Sequence, residues 1–322
     1  MTSREHGGPD ANGIAQWDFS SNANACGPFP QVLRALHQVN IAHYPDPEYA
    51  HLKRTLAQFH GVEENQLVLA GSASEFVMRL TAHWASEGKQ RVWIAPLAYG
   101  EYAHAAQVHG LQRVSNWSDA DLCWLCDPSS PLGQAVEAHT LHDLATHTGL
   151  VVLDRAYEPL RLIGHTPFTQ AQLNAAWQLW SPNKALGLTG IRGAYAIAPA
   201  HHTELADVLN HKAPSWVLGA HAVEMLTQWV QPSVQAELAD SRTTLLAWKT
   251  QQMHLLQPWV CLPSQTNFFC IQAQWNHGVL REHGIKLRNT QSFGLLGHWR
   301  LSVQPPAAHA ALCLALQQGG AS

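Results

Sequence analysis

Between residues 67 and 198 the chain repeats one alternation: a short, almost wholly apolar run, then a longer amphipathic stretch, then another apolar run. The runs are Leu67–Ala70, Arg91–Ala95, Leu122–Cys126, Leu150–Asp154, Trp177–Trp180 and Ala194–Ala198. Strands without alternating polar positions must be covered on both faces, and helix-like stretches at Glu75–Ser86, Glu101–His109 and Ala138–Thr148 supply the cover. The pattern predicts an α/β fold with a mainly parallel sheet, in which ligands bind beyond the carboxyl ends of the strands.

The character changes after Pro214. Two longer helical patterns, Val217–Val230 and Pro232–Leu256, precede strands at Asn267–Ala273 and Trp299–Gln304, with short helices near Gly278–His283 and Ala307–Gln317. A second, smaller α+β domain is expected there.

Only 13% of the 322 residues are charged while 46% are hydrophobic, a balance that suits burial against a partner subunit. A net charge of -4 without runs of like charge gives no reason to expect nucleic-acid binding. The polar, glycine-rich opening MTSREHGGPDANG reads as neither a signal nor a transit peptide, and no apolar run approaches the ~20 residues of a membrane span. A soluble cytoplasmic protein is the expectation. Cys123 and Cys126 form a C-x-x-C, but on a strand they point to opposite faces, which argues against a shared metal or a disulfide. The 21 histidines form no H-E-x-x-H pattern, so no metal is expected.

Three segments carry chemistry. Lys184 lies in Ser181-Pro-Asn-Lys184-Ala-Leu-Gly-Leu-Thr-Gly-Ile-Arg192, a loop between two apolar runs. A lysine among small and apolar residues can lose charge through desolvation and become nucleophilic, and Ser181 and Arg192 suit a phosphate. Plain surface charges fit the loop as well. Asp154 ends an apolar run, where it is either a turn former or a partner for a protonated pyridine nitrogen. Ala70-Gly-Ser72-Ala-Ser74-Glu75 places small residues at a strand-to-helix junction, suited to cradling phosphate, although Ser74 and Glu75 could equally be N-cap residues.

In this order and spacing the three segments resemble the fold-type-I aminotransferase superfamily of pyridoxal-phosphate (PLP) enzymes. Within it the chain is most similar to the histidinol-phosphate aminotransferase and threonine-phosphate decarboxylase group. Glu5-His6-Gly7-Gly8 and Asp18-Phe19-Ser20-Ser21-Asn22 look like the HGG and DFS-x-N opening of threonine-phosphate decarboxylases of cobalamin biosynthesis. The resemblance implies that Lys184 holds PLP as a Schiff base, that Asp154 pairs with the pyridine nitrogen and that Tyr157 reaches the phenolic oxygen. It implies Tyr99 stacked on the ring, and Ala73, Ser74, Ser181 and Arg192 on the phosphate. Tyr44, in the family's Tyr-Pro-Asp segment, would reach the phosphate in the other subunit of a homodimer with shared sites. Arg300 would grip the substrate carboxylate and Arg288 the phosphate of a small phosphorylated amino acid, with His6, Gly7 and Asn22 lining the substrate side. It also implies an N-terminal arm over 1–30, a large PLP-binding domain over 31–215 and a small domain over 216–322.

Three motifs depart from the group. Ser129-Ser130-Pro131-Leu132-Gly133 replaces N-N-P-x-G, leaving Ser130 to serve the phenolic oxygen; Gly71-Ser72-Ala73 replaces G-N-G; and Pro214-Ser-Trp216-Val-Leu218 replaces P-W-S-V-N. The expected reaction is decarboxylation of L-threonine O-3-phosphate to (R)-1-amino-2-propanol O-2-phosphate. The alternatives are a histidinol-phosphate type of aminotransferase, a serine hydrolase using Ser181-x-x-Lys184, and a non-catalytic descendant of the fold.

Overall fold

The computed structural model describes residues 6–137, 140 and 147–320. The helix expected at Ala138–Thr148 lies almost entirely outside the described residues. In chain order the strands are Trp17–Asp18 (β1), Leu67–Ala70 (β2), Arg91–Ile94 (β3), Gln112–Arg113 (β4), Leu122–Cys126 (β5), Leu150–Asp154 (β6), Trp177–Trp180 (β7) and Ala194–Ile197 (β8). Val260–Cys261 (β9), Phe268–Gln272 (β10), Ile285–Lys286 (β11), Arg288–Asn289 (β12) and His298–Ser302 (β13) follow.

Strands β2 to β8 form one seven-stranded sheet in the order β2-β8-β7-β6-β5-β3-β4. It is parallel from β4 through β7, and β8 runs antiparallel to both of its neighbours. The period-2 geometry of a strand explains why these runs are apolar throughout. On β2, Leu67 and Leu69 enter one core with Val32, Leu52, Tyr195 and Met225, while Val68 and Ala70 enter the other with Phe76, Trp124 and Trp177. Each wholly buried Leu or Val there contributes about 1.5–3 kcal/mol.

The helix Ala73–Ser86 starts on Ser72, whose hydroxyl accepts from Glu75 N–H, and Glu75 in turn accepts from Gly71 N–H at 3.1 Å. The cap is thus Ser72 rather than Ser74, which leaves the Ser74 hydroxyl free for other work.

The C-terminal part forms an antiparallel sheet of order β12-β13-β10-β9. Phe269, Ile271 and Leu301 pack there with Leu256, Leu280 and Leu312. The chain's own beginning is built into this part. β1 pairs in parallel with β11, Phe19 N–H donates to Lys286 O at 2.9 Å, and Ser302 N–H donates to Phe19 O at 2.8 Å. Phe19, wholly buried, is its anchor. No helix among the described residues is long and apolar enough to cross a membrane.

Candidate active site

The loops that follow β2, β5, β6 and β7 converge on one cavity, partly open to solvent. Every one leaves a strand at the same edge of the sheet, which is why residues from positions 72 to 193 meet.

Asp154 closes the floor. Its carboxylate is buried; Tyr102 Oη donates to Oδ2 at 2.6 Å and Ala156 N–H donates to Oδ1 at 2.9 Å. Burial pushes the carboxyl above its ordinary range, while the Tyr102 hydrogen bond and the nearby Lys184 charge pull it back. Lys184 projects into the same cavity with Nζ 5.4 Å from the centre of the Tyr157 ring. Tyr157 Oη accepts from Asn22 Nδ2 at 3.3 Å, and its ring meets Phe268 edge-on. Tyr99 lines one wall 3.1 Å from Ser74 Oγ, and burial raises its phenol to about 12.

At one end Ser72, Ala73 and Ser74 present the start of the Ala73–Ser86 helix, with Ser181 and Arg192 beside it. Backbone N–H groups at a helix start, a hydroxyl and a guanidinium are the donor set a phosphate takes. The Ser181 hydroxyl is buried with no hydrogen-bond partner among the described residues. It also makes no bond to Lys184, the contact that a Ser-x-x-Lys hydrolase requires. A phosphate at this end would satisfy it. This lining fits PLP: Lys184 and Asp154 would meet its ring, and Ser74, Ser181 and Arg192 its phosphate.

Beyond the lining residue Ser130, β12 and β13 form a wall in which Arg288 and Arg300 are direct cross-strand partners. Arg300 is buried, donates to Ser130 Oγ at 3.2 Å and to Ser20 O at 2.9 Å, and leaves Nε unpartnered. No carboxylate pairs with it among the described residues, and burial lowers its affinity for the proton. Arg288 donates to Ser292 Oγ at 2.7 Å, and both guanidiniums lie near the Phe293 ring, at 5.0 and 5.7 Å from its centre. Ser130 lines the cavity, and its Oγ accepts from Arg300, a bond that leaves its O–H able to donate.

The arm completes this side. Gly7 packs so tightly that a Cβ would stand 2.2 Å from Ser20 O, the carbonyl that Arg300 grips. The His6 ring lies 6.4 Å from that of Tyr99, with Nε2 3.5 Å from Glu101. Tyr44 is elsewhere: 76% exposed, outside its own chain's cavity, and stacked on Trp216 at 4.3 Å.

Three participants go unmarked in the sequence reading. Tyr102, the partner of Asp154, sits three residues after Tyr99 on the helix Gly100–Val108, so helical spacing could have flagged it. Ser20 acts through a backbone carbonyl, which leaves no side-chain signal. Cys126 lines the cavity because three residues along β5 turn it away from Cys123, and its thiol is pushed up by burial. Both cysteines are free.

The family model for aminotransferase class I and II matches residues 14–316. A histidinol-phosphate aminotransferase of Synechocystis is 27% identical over 310 residues, spanning 88% of this chain and 86% of the relative. Among solved structures, an L-threonine-O-3-phosphate decarboxylase of Porphyromonas gingivalis superposes with a TM-score of 0.77 at 20% identity, covering 93% of this chain and 98% of its own. A histidinol-phosphate aminotransferase of Sinorhizobium meliloti, solved in complex with pyridoxal-5'-phosphate, gives a TM-score of 0.73 at 22% identity and covers 92% and 89%. This chain belongs to the class I and II aminotransferase family and is a PLP-dependent enzyme of fold type I.

Proposed function

We propose that the enzyme decarboxylates L-threonine O-3-phosphate to (R)-1-amino-2-propanol O-2-phosphate, a step of cobalamin biosynthesis. The observation that supports it is the pairing of Arg288 with Arg300 on adjacent strands, two cations at one wall for a substrate with two anionic groups. Arg300 takes the carboxylate, since its Nε is the donor left unpartnered, and Arg288 lies beside it for the phosphate. The arm, with His6, Gly7 and Asn22, closes the substrate side.

Bound between Lys184 and Asp154, PLP supplies an electron sink for the pair released when a bond at the substrate Cα breaks. Asp154 would face the pyridine nitrogen and keep a proton there. Tyr99 would cover the ring, and Tyr157 and Ser130 would serve the phenolic oxygen. Lys184 would hold the cofactor, and its amine is the group that would carry a proton to the substrate Cα. Tyr44 serves the phosphate end of a second copy in a homodimer, and the chain divides into arm, large domain and small domain near residues 30 and 215.

The second reading is amino transfer of the histidinol-phosphate type, favoured by the name of the Synechocystis relative. The purified holoprotein is to be given L-threonine O-3-phosphate with and without 2-oxoglutarate. Release of CO2 with a phosphorylated amine as product supports decarboxylation. Rapid formation of glutamate without CO2 replaces it by the second reading.

A further inference from the structure

Packing leaves the hydroxyl of Tyr102 unexplained. The ring lies flat against Trp124, centroids 4.9 Å apart at 7°, and edge-on to Tyr99 at 5.6 Å. Phenylalanine would make both contacts. The residue is wholly buried, and burying a phenol O–H is costly unless it is bonded. Its one hydrogen-bond partner among the described residues is Asp154 Oδ2, at 2.6 Å.

Asp154 needs such a donor. It sits at the end of an apolar strand, and no arginine pairs with it among the described residues. Burial alone would favour its neutral form. The Ala156 N–H is fixed by the turn and satisfies Oδ1; Tyr102 alone supplies a side-chain donor to Oδ2. Tyr102 does not line the cavity, so it touches no substrate.

We infer that Tyr102 is a positioning residue that keeps Asp154 anionic and aimed, so that the proton between this carboxylate and the pyridine ring rests on the ring nitrogen. The inference depends on the proposed placement of Asp154 opposite that nitrogen. Without the phenol the carboxylate becomes the stronger base, the proton moves to it, and the neutral ring withdraws electrons less strongly. No other atom changes hands.

The test uses holoenzyme loaded with PLP carrying 15N in the ring. In Y102F the ring-nitrogen resonance should move from the pyridinium position toward neutral pyridine, and kcat should fall about 10-fold with KM nearly unchanged, the size expected for one hydrogen bond to a charged group. D154N is the control. If D154N moves the resonance and Y102F leaves it in place, the inference is overturned while the placement of Asp154 survives. If neither moves it, the placement itself is wrong and the inference falls with it. Should Y102F not fold, wild-type protein should show a slowly exchanging low-field proton that vanishes in D154N; its absence from wild type overturns the inference.

Discussion

Two buried charged groups lie at the cavity, Asp154 on its floor and Arg300 in the wall behind Ser130, and they are satisfied differently. Both carboxylate oxygens of Asp154 have donors from the protein, Tyr102 and Ala156. Arg300 is held by a serine hydroxyl and a backbone carbonyl, has no carboxylate partner among the described residues, and leaves Nε bare. A buried group that is fully bonded is set for one permanent neighbour, whereas one left short of acceptors has capacity for a ligand that comes and goes. On the proposed function the floor serves the cofactor and the wall serves the substrate.

The largest effect should come from the floor. Lys184→Ala is expected to lower turnover by about 10³-fold or more and to abolish the near-visible absorbance that borohydride bleaches. An unchanged spectrum would break the division, because the amine would then not be the cofactor's anchor. On the wall, Arg300→Met should raise KM for a carboxylate-bearing substrate about 100-fold while the spectrum stays as in wild type. Its thermal midpoint should hold or rise, since an unpaired buried charge has been replaced by an apolar side chain of similar length. A fall in midpoint would show that Arg300 is structural. Ser181→Ala sharpens the boundary between the two ends: PLP affinity, read by spectroscopic titration, should weaken about 10-fold with substrate KM little altered.

The smallest effect concerns how the wall is held. Lys249, buried on the long helix Pro232–Leu255, donates to Ser264 O at 2.6 Å and Thr266 O at 2.8 Å, just before β10. Burial lowers it from 10.5 to about 8. Its folded value is below the unfolded one, so between pH 8 and 10.5 the unfolded chain carries more of its proton and folding gains stability as pH rises. The midpoint of wild type relative to Lys249→Met should therefore climb across that window, on the order of 3 °C. A flat difference would mean that the two carbonyls keep the amine charged.

The floor was far more legible in the sequence than the wall. Strands β2, β5, β6 and β7 fill both faces of a covered sheet, so their composition marks them, and Asp154 and Lys184 sit where such strands end. The antiparallel direction of β8 had no composition signal, because a strand buried on both sides reads alike either way. Two early helices also escaped. Pro30–His37 buries only Val32 and Leu36, too few positions to show a period. Ala50–His60 begins on Tyr49 in a left-handed conformation, and its first N–H is satisfied by Asp46 from four residues upstream. On the wall, Arg288 and Arg300 were named through a family resemblance, but their mutual register, the Ser130 contact and the Ser20 carbonyl arise only from tertiary pairing.

The way β1 is laced against β11, with Phe19 bonded to Lys286 and Ser302, has a consequence for synthesis. A ribosome emits the whole lining of the Asp154 cavity by residue 193, yet the arm made first has no sheet to join until the last strand emerges. The segment made first therefore takes its place only after nearly all of the chain has left the ribosome, and the core behind the cavity likewise waits for Leu218, Met225 and Trp229.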